Sequence, residues 1–428
     1  MNTTFKNVQL KPRFYKAIIP VDWHVAELSK VGDIITGSTP STSNSEFYGS
    51  NYLWATPEDL SEIKFVNDTK TKLTKKGFDE TRKISENSIL FVCIGSTIGK
   101  IGFSKEKIST NQQINSIICK KYAPQYVYYQ LLSHQKKIKN LENNVAIPII
   151  NKTDFGKFKI PLPNEKKEQQ KIGSILSNVD DSIQKTSEQI EKIKQLKTGL
   201  MQKLLTKGIG HTKFKKVQLT PRYIQLKIPD QWEIKKIQQI CLQVTDGVHK
   251  TPEYQDKGIP FVSVNNLASG KLDFSKCEFV SKKDHQEMIK RCHPQKDDIL
   301  LSKVGTLGIA DVIKVDFEFS IFVQLALLKP DKSQILPTFL KYLLTSHHVN
   351  KRIHAYAAGT TLQYIGVQSI EELSLPIPKN KEQQKIASIL SNVDSQIESL
   401  ESKKSQLQKT KQGLMQKLLT GKIRVQLN

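Results

Sequence analysis

Two nearly identical stretches of fourteen residues decide how this chain is built. The first is KEQQKIGSILSNVD at residues 167–180, and the second is KEQQKIASILSNVD at residues 381–394. They differ at one position, where Gly173 is replaced by Ala387. We interpret that difference as a mild loss of helix propensity in the first copy and not as a functional signal. The repetition predicts that the chain is a tandem duplication.

The repeat extends beyond these stretches in both directions. At an offset of 214 residues, GLMQKLLT at 199–206 falls on GLMQKLLT at 413–420. Upstream, VQLKPR at 8–13 matches VQLTPR at 217–222. Single residues keep the correspondence elsewhere: Pro20 with Pro229, Trp23 with Trp232, Gly95 with Gly305, Pro161 with Pro376, and Pro163 with Pro378. Each half is therefore predicted to hold a long variable body followed by a shorter preserved segment.

The charge of the chain indicates the class of its partner. The 428 residues include 65 lysines and arginines against 41 aspartates and glutamates, a formal charge of +24. Such an excess is typical of proteins with a polyanionic partner, and nucleic acid is preferred over a membrane surface or a role in solubility alone. No apolar run approaches the roughly 18–20 residues that span a bilayer. The polar start MNTTFKNVQL and the five scattered cysteines without a CxxC pair predict a cytoplasmic protein with reduced thiols.

The preserved segments are predicted to be long helices that form a coiled coil. Apolar residues recur at alternating spacings of four and three, which is the seam pattern of a coiled coil. Each segment follows a Pro-x-Pro, through which a helix cannot extend backwards, and Gly208 and Gly421 suit left-handed helix ends. The seam, which is also the candidate partner-binding surface, consists of Ile172, Leu176, Val179, Ile183, Ile190, Ile193, Leu200 and Leu204, and of Ile386, Leu390, Val393, Ile397, Leu400, Leu407, Leu414 and Leu418.

Four polar residues interrupt this seam: Thr186, Lys197, Lys404 and Lys411. Polar seam residues often fix the register or the partner of a coiled coil at a cost in stability. Alternatively, the chain bends locally and the lysine stems reach out to water. The sequence leaves both interpretations open.

The variable bodies have the pattern of compact mixed α and β domains. Short β-rich runs are separated by Gly, Pro, Asn and Ser, and they predict strands at 88–94, 114–119, 259–264 and 322–328. Helices are predicted at 126–138 and 337–353. The pair His347 and His348 lies on the second of these helices and is expected at its surface.

No catalytic motif is recognisable in either half. GSTIGK at 95–100 has one residue too few between its glycines for a phosphate-binding loop, and no Ser or Thr follows its lysine, so we predict a turn. Glu58, Asp59, Glu62 and Lys64 resemble the carboxylate cluster of a metal-dependent nuclease. Since the second half has Asn265, Asn266 and Ser269 in their place, a solvated turn is preferred. Cys277, His285, Cys292 and His293 fit no usual zinc spacing, and we expect no metal site.

The paired motifs resemble those of the specificity subunit of type I restriction-modification systems, and the resemblance covers essentially the whole chain. It rests on PLPNEKKEQQKIGSIL (161–176), PIPKNKEQQKIASIL (376–390), GLMQKLLTKGIGHTKFKK (199–216) and GLMQKLLTGKIRV (413–425). Within the bodies, similarity to target-recognition domains is carried by GSTPSTSNSEFYG (37–49), TNQQI (110–114), TDGVHKTPEY (245–254) and KVGTLG (303–308).

This resemblance implies an α+β chain with an internal pseudo-twofold tandem repeat. Two α/β target-recognition domains would be joined by two long antiparallel coiled-coil helices. The implied boundaries are 1–163 for the first target-recognition domain, 164–207 for the central spacer helix, 208–378 for a linker and the second target-recognition domain, and 379–428 for the C-terminal spacer helix and tail.

The resemblance also implies a subunit without catalytic residues of its own. Each domain would read one half of a bipartite, asymmetric site in double-stranded DNA. Two methyltransferase (modification) subunits would dock on the helices, and restriction and translocase subunits would join them. No cofactor is expected in this chain, because S-adenosylmethionine, Mg²⁺ and ATP would belong to those partners.

Polar and basic residues in the turns of the bodies are the candidates for DNA contact, since phosphates attract lysine and arginine and base edges bond polar side chains. In the first body they are Thr39, Ser41, Asn44, Lys72, Lys75, Arg82, Thr97, Lys100 and Gln112. In the second they are His249, Lys250, Asn265, Asn266, Lys303, Thr306, Thr360, Thr361 and Gln363.

Two other classes of function remain to be distinguished. A repeat-built adaptor would use the coiled coil for oligomerisation and would show no sequence preference on DNA. A stand-alone nuclease or methyltransferase would act without partners when supplied with Mg²⁺ and S-adenosylmethionine. The gene neighbourhood discriminates between them, because a specificity subunit should be encoded beside a methyltransferase that carries an Asn-Pro-Pro-Phe box.

Overall fold

The structure of the protein is a computed structural model that describes residues 4–10, 15–61, 63–141, 148–219, 224–359 and 363–427. Its contacts divide the chain into two compact units. Unit 1 comprises Met1–Gln189 and Leu400–Asn428, and unit 2 comprises Ile190–Ser399. Each of the two longest helices therefore contributes one part to each unit.

Unit 1 contains thirteen described strands: β1 (Phe5–Leu10), β2 (Tyr15–Pro20), β3 (Trp23–Glu27), β4 (Gly32–Thr36), β5 (Tyr48–Gly49), β6 (Tyr52–Ala55), β7 (Lys72–Leu73), β8 (Lys83–Ile84), β9 (Ile89–Val92), β10 (Ile101–Phe103), β11 (Ile108–Thr110), β12 (Ile114–Cys119) and β13 (Lys159–Pro163). Its helices are α1 (Leu28–Val31), α2 (Lys75–Asp79), α3 (Pro124–Lys139), α4 (Lys152–Lys157) and the first part of α5 (Lys166–Lys207), with a short 3-10 turn at Ser45–Phe47.

The core of unit 1 is built around an antiparallel sheet in the order β10-β9-β12-β4. Strand β9 is buried on both faces because successive side chains of a strand point to opposite sides. Ile89 and Phe91 belong to the main core with the helices, whereas Leu90 and Val92 join a second cluster with strands β6 and β11 of the smaller sheet. This explains why the sequence of the strand is continuously apolar.

Unit 2 repeats this arrangement with β14 (Phe214–Leu219), β15 (Ile224–Pro229), β16 (Glu233–Lys236), β17 (Cys241–Asp246), β18 (Ile259–Val262), β19 (Glu278–Val280), β20 (Ile299–Ser302), β21 (Ala310–Val312), β22 (Ser320–Ile321), β23 (Leu325–Pro330) and β24 (Ser374–Ile377). Its helices are α6 (Ile237–Ile240), α7 (Lys282–Ile289), α8 (Pro337–Leu344), α9 (His347–Tyr356), α10 (Val367–Glu371) and the first part of α11 (Asn380–Leu418), with a 3-10 turn at Val264–Asn266.

The two units share one sheet topology. The order β17-β23-β20-β21 in unit 2 corresponds strand by strand to β4-β12-β9-β10 in unit 1. In the smaller sheets, β6 runs parallel to β11 and β18 runs parallel to β22. Hairpins β1–β2 and β14–β15, and pairs β3–β13 and β16–β24, complete the correspondence. The predicted α+β fold with an internal tandem repeat is confirmed.

The two long helices start and stop where the sequence predicts. Helix α5 begins three residues after Pro163, and α11 begins two residues after Pro378. Gly208 (φ +62°) and Gly421 (φ +66°) have the left-handed backbone that follows many helices and that glycine adopts without strain. All sixteen seam residues are buried or half-buried.

Within each unit the parts of the two helices run antiparallel. In unit 1, Asp180 on α5 forms an ion pair with Lys411 on α11, with the amine 2.6 Å from a carboxylate oxygen. In unit 2, Lys197 on α5 pairs with Asp394 on α11 at the same distance. Two of the polar seam residues thus form specific ion pairs, which favours the interpretation that they fix the register of the helices. Thr186 is buried and donates to the carbonyl of Ser182 at 2.7 Å.

Three secondary-structure predictions need correction. The segment 337–353 forms two helices, α8 and α9. At the break, the hydroxyl of Thr345 donates to the carbonyl of Lys341 and that of Ser346 donates to the carbonyl of Leu343, and such side-chain bonds to the backbone compete with a continuous helix. His348 in α9 is half-buried, and burial lowers the pKa of its imidazole to about 4, so only His347 is exposed. The strand predicted at 322–328 begins only at Leu325. The strand predicted at 259–264 ends at Val262, before the 3-10 turn at Val264–Asn266.

Candidate nucleic-acid interface

One end of the four-stranded sheet in unit 1 collects several of the candidate residues. Strands β4 and β9 end there, and β12 begins there, as shown by the pairing of Thr36 with Asn115 and of Val92 with Ile114. We call this end of the sheet, with the turns that leave it, the first recognition edge. Thr39 and Gln112 lie next to the ends of β4 and β12.

The first recognition edge is held together by hydrogen bonds between the turns. The hydroxyl of Thr39 donates to Oε1 of Gln112 at 2.5 Å. Arg82 donates from its guanidinium to the carbonyl of Thr36 and from its backbone N–H to Oγ of Ser38, both at 2.9 Å. Three candidates that are distant in sequence are thus neighbours at this edge, and all three are exposed.

Gly37 allows the turns of this edge to approach closely. A Cβ atom at this position would lie 2.2 Å from the carbonyl oxygen of Asn111 and 2.3 Å from that of Thr110. Gly247, which follows β17 in unit 2, is equally confined by the carbonyl oxygen of Ile321 at 2.0 Å. Both halves therefore need glycine where the chain leaves the sheet.

The remaining candidates of the first body are more dispersed. Ser41 shares a hydrogen bond with Ser43 at 2.8 Å, and Asn44 accepts from the backbone of Glu46 at 3.1 Å to cap the 3-10 turn. Lys72 and Lys75 lie on strand β7 and helix α2. Lys72 pairs with Asp68 at 2.8 Å. Thr97 and Lys100 flank the turn from β9 to β10, where the amine of Lys100 donates to the carbonyl of Pro57 at 3.0 Å.

The corresponding sheet end in unit 2 forms a second recognition edge. Strands β17 and β20 end there and β23 begins there, since Asp246 pairs with Ala326 and Ser302 with Leu325. The candidates that follow these strands or bond to them are His249, Lys250, Lys303, Thr306 and Gln363, the last accepting from the backbone of Gly305 at 2.9 Å. Thr360 and Thr361 lie outside the described residues.

A buried carboxylate organises the second recognition edge. Asp246 has a side-chain exposure of 4%, and its Oδ2 accepts from the amine of Lys303 at 2.7 Å. Its Oδ1 accepts from the guanidinium of Arg291 and lies 3.3 Å from Nε2 of His249. Burial acts to raise the pKa of Asp246, but the bond to Lys303 and the charges of the cations around it outweigh burial and lower that pKa. The carboxylate therefore stays ionised.

Asp246 and Arg291 were not among the residues singled out from the sequence. Asp246 falls inside the motif TDGVHKTPEY, but a single acidic residue in a basic protein carries no signal by itself. Arg291 is close to Asp246 only in the tertiary structure, 45 positions along the chain. The one available signal was the scarcity of arginine in a chain whose positive charge comes mainly from lysine.

Two candidates of the second body are buried and bonded inside it. Asn266 caps its own 3-10 turn, accepting from the backbone of Ser263 at 2.9 Å and donating to the carbonyl of Asp273 at 3.2 Å. Lys303 is 7% exposed and bound to Asp246. Both side chains have structural partners, and neither is placed to meet DNA directly. Asn265 remains exposed.

The alternative chemical sites have structural explanations. Asp59 accepts from the backbone and hydroxyl of Thr56, both at 2.8 Å, and so closes a turn as Asn266 does in unit 2. Glu58 pairs with Lys70 at 2.6 Å, and Glu62 lies outside the described residues. Lys64, predicted in a solvated turn, is instead buried.

The zinc alternative finds no support among the residues that the structure describes, where no cluster of three or more His, Cys, Asp or Glu side chains could hold a metal. The thiol of Cys277 donates to the carbonyl of Phe274, and His285 bonds Ser320 through Nδ1 at 2.9 Å. Burial raises the pKa of the Cys292 thiol to about 12, which disfavours the thiolate that zinc requires.

Comparison with known proteins agrees with the duplicated architecture. The family model described as the type I restriction modification DNA specificity domain matches twice, at residues 20–195 and 229–409. The chain belongs to this family. The specificity subunit of the type I restriction enzyme MjaVIII of Methanocaldococcus jannaschii is 28% identical over 417 residues, which cover 95% of this chain and 94% of that protein. The MjaIX specificity subunit of the same organism is 26% identical over 422 residues, which cover 95% of each chain.

Solved structures share the fold of this specificity protein. The crystal structure of the type I restriction-modification S subunit from M. genitalium aligns with a TM-score of 0.61 at 16% identity, covering 95% of this chain and 97% of that one. A chain from a structure of complex assembly and conformational transition in a type I restriction-modification system aligns with a TM-score of 0.52 at 15% identity, covering 95% of this chain and 99% of that one. Among the helices of the described residues, none is both long enough and apolar enough to cross a membrane.

The repeated stretch attaches the body of each unit, called its specificity domain below, to the long helices. Gln169 accepts from the backbone of Ala123 at 2.9 Å, and Gln383 accepts from that of Leu336 at 2.9 Å, which fixes the start of α3 or α8. Tyr129 on α3 donates to Asp180 at 2.6 Å. The counterparts of these residues, Tyr342 and Asp394, bond in unit 2 at 2.7 Å. Gln169 and Asp180 are therefore used inside the protein in the same way as Gln383 and Asp394.

The glutamates of the stretch hold unlike partners. Glu168 accepts from the guanidinium of Arg424 at 2.7 Å, and that arginine also binds Asp22. Glu382 accepts instead from the indole of Trp232 at 3.1 Å and from His211. Hydrogen bonds to Glu168 and Asp22 raise the pKa of Arg424, and the bond from Arg424 lowers the pKa of Asp22. The same position thus closes each unit by different contacts.

Lys64 adds a contact that is specific to unit 1. Its amine donates to Oγ of Ser177 at 2.9 Å and to the hydroxyl of Tyr129 at 3.4 Å. The rings of Phe65 and Tyr129 lie 4.8 Å away, and those of Phe103 and Tyr128 lie 5.2 and 5.4 Å away. Burial lowers the pKa of Lys64 to about 8, although Asp180 and Asp181 act in the opposite direction.

Proposed function

We propose that this chain is the DNA-recognition subunit of a type I restriction-modification complex, in which each specificity domain reads one half of a bipartite, asymmetric site. The observation that carries the proposal is that the same sheet end in both units displays exposed polar and basic side chains that differ between the two. An asymmetric DNA site requires two domains of the same fold whose DNA-contacting side chains differ. The proposed domains keep the boundaries 1–163, 164–207, 208–378 and 379–428.

Two identical modification subunits would bind the long helices. This is supported by the exposed side of the repeated stretch, because the residues that the specificity domains leave uncovered are the same in both copies. They include Lys167, Gln170, Lys171 and Ser174 in the first copy and Lys381, Gln384, Lys385 and Ser388 in the second. A surface that occurs twice on one chain can receive two copies of one partner. S-adenosylmethionine, Mg²⁺ and ATP would be bound by the partner subunits, and the chain itself would act in the cytoplasm.

The test is to produce the chain with the modification subunits of its own system and to map methylated bases by single-molecule sequencing. A two-part motif with an unspecified gap is expected, and the chain alone should methylate nothing. Substitution of Lys171 by Glu should reduce the number of bound modification subunits from two to one, and the double variant with Lys385→Glu should bind none. Methylation without sequence preference by the full complex would contradict the proposal.

A further inference from the structure

Arginine is scarce in this chain, and most of the arginines either bond to other groups inside the protein or lie outside the described residues. Six of the 65 basic residues are arginines, and Arg13 and Arg222 fall in the parts that the structure does not describe. Arg352 is fully buried and donates to a backbone carbonyl at 2.6 Å. Arg424 is held by two carboxylates. Arg82 and Arg291 remain.

Arg82 and Arg291 occupy the same place in their respective units. Each follows the short helix of its domain, α2 or α7, and each is exposed. Each guanidinium reaches the last residue of the outer strand of the four-stranded sheet, which is Thr36 in unit 1 and Asp246 in unit 2. One arginine therefore stands at each recognition edge, although the loops around it differ in sequence.

The position of Arg291 is fixed from below by buried groups. The carboxylate of Asp246 bonds the buried amine of Lys303 through one oxygen and the guanidinium of Arg291 through the other. The contacts of the Arg291 guanidinium with Asp246 and with Nε2 of His249, at 3.4 Å, use the same terminal nitrogen, and the side chain is 58% exposed. A planar group with five donors, held at one end and exposed at the other, is preorganised to bond an acceptor pair.

We propose that Arg291 is a specificity-determining residue that reads a guanine in the half-site of the second specificity domain, with Asp246 as its positioning residue. Guanine presents two acceptors, O6 and N7, in the major groove, and a bidentate arginine is the contact that distinguishes it from the other bases. The inference rests on the proposed function. Loss of such a contact reduces discrimination against the wrong base roughly 5- to 150-fold.

Replacement of Arg291 by lysine distinguishes recognition of a base from a contact with phosphate that needs only a positive charge. Arg291→Lys keeps the positive charge that a phosphate contact needs but loses the planar fork. Arg291→Gln removes both. Since the side chain is exposed, neither substitution is expected to impair folding, and thermal unfolding of each variant checks this. Lys290→Gln, at the adjacent exposed residue that pairs with Glu287, is the matched control for loss of one charge.

The experiment is methylome mapping of cells that express the complex with the wild-type chain or with one variant. In the wild type, the half-site read by the second domain is expected to contain a G·C pair. Arg291→Gln and Arg291→Lys should both relax the motif at that pair by at least about 5-fold. Asp246→Asn should relax the same pair, and Arg82→Gln should affect only the other half-site. Lys290→Gln should leave the motif unchanged.

The outcomes separate the inference from the proposed function. If the wild-type complex yields no bipartite motif, the proposed function fails. If it yields one that Arg291→Lys preserves in full, while Arg291→Gln weakens methylation equally at all sites, the residue contacts phosphate and the inference is overturned. It is likewise overturned if the half-site of the second domain contains no G·C pair.

Discussion

At the scale of single residues, the repeated stretch has two functions that its sequence does not separate. Its buried polar members, including Gln169 and Asp180, bond the specificity domain of their own unit. Its exposed members, such as Lys167 and Lys171, are free of those contacts and are identical in the second copy. The sequence alone suggested that the stretch is kept for partner subunits. The structure adds that half of it is kept for the protein's own domains.

Lys64 provides a test of a buried charge at this scale. Its pKa is about 8 in the folded protein and 10.5 in an ordinary environment, so the unfolded chain holds the proton more tightly. The wild type therefore gains stability as the pH rises from 8 to 10.5. A Lys64→Met variant lacks this titration. We expect the stability of the wild type relative to the variant to rise by up to about 3 kcal/mol over this range.

Urea unfolding of the wild type and of Lys64→Met at pH 7, 9 and 10 measures this difference, since other titrating groups act on both proteins alike. Lys152→Met is a control with the same change at an exposed lysine of the same unit. A difference between wild type and Lys64→Met that does not vary with pH would contradict the burial of the charged amine.

Gly173 shows that the single difference between the two stretches is not only a matter of helix propensity. A Cβ at Gly173 would lie 3.0 Å from Cβ of Gln125 and 3.1 Å from the backbone nitrogen of Tyr126. Helix α3 thus approaches α5 so closely that only glycine fits without displacement. The original interpretation as a mild loss of propensity was incomplete.

Gly173→Ala is expected to lower the free energy of unfolding by about 1 kcal/mol, because overpacking outweighs the gain of up to about 1 kcal/mol in helix propensity. Gly199→Ala is the matched control, since Gly199 lies in the same helix and has nothing within 4 Å of the added methyl group. That variant should be stabilised by about 0.5–1 kcal/mol. Equal effects of the two substitutions in denaturant unfolding would show that the contact with α3 does not matter.

At the scale of elements, each long helix contacts a body at both of its ends, and the two helices are also joined to each other by ion pairs. Contacts with the bodies are made by residues up to Asp180 and again from Lys197 on α5, and by residues up to Asp394 and again from Lys411 on α11, apart from the pair Lys271–Glu398. Lys197 and Lys411 form ion pairs with Asp394 and Asp180 between the two helices. A change of length must therefore be made in both helices, and in each helix it must lie between the residues that contact the two bodies.

Insertion of one heptad after Gln189 together with one after Ser402 should lengthen each helix by about 10 Å. Under the proposed function, the gap between half-sites should widen by roughly three base pairs, at about 3.4 Å per pair, while both half-sites stay unchanged. Methylome mapping of the variant complex measures the gap. An insertion in α5 alone is the control, because it breaks the ion-pair register and should lower stability. Altered half-sites in the double insertion would refute the role of the helices as spacers.

At the scale of the whole molecule, the charge of +24 is the property most directly linked to DNA. Lysines and arginines that neutralise phosphates release counterions, and affinity then depends steeply on salt. We expect a complex with the mapped duplex to weaken by roughly 10³- to 10⁵-fold between 50 and 200 mM salt, as for a protein with about 6–10 phosphate contacts. Fluorescence anisotropy with a labelled duplex measures this.

The salt dependence should be shared by matched and mismatched duplexes, because phosphate contacts carry no sequence information. Arg291→Gln should therefore reduce the preference for the matched duplex and change the salt slope by no more than about one contact. Binding that is insensitive to salt would exclude a phosphate-dominated interface.

The sequence by itself determined the duplication, the two long helices with their ends, and the family, because these depend on local rules. Seam periodicity, Pro-x-Pro and left-handed glycines act over a few residues, and the repeat can be read by comparison of the chain with itself. Only the tertiary structure decided which polar residues are buried. Lys64 bonds Ser177, and Asp246 bonds Arg291, across 113 and 45 positions of sequence. The free energy of a buried charge is set by neighbours that packing brings to it, and sequence periodicity holds no record of them.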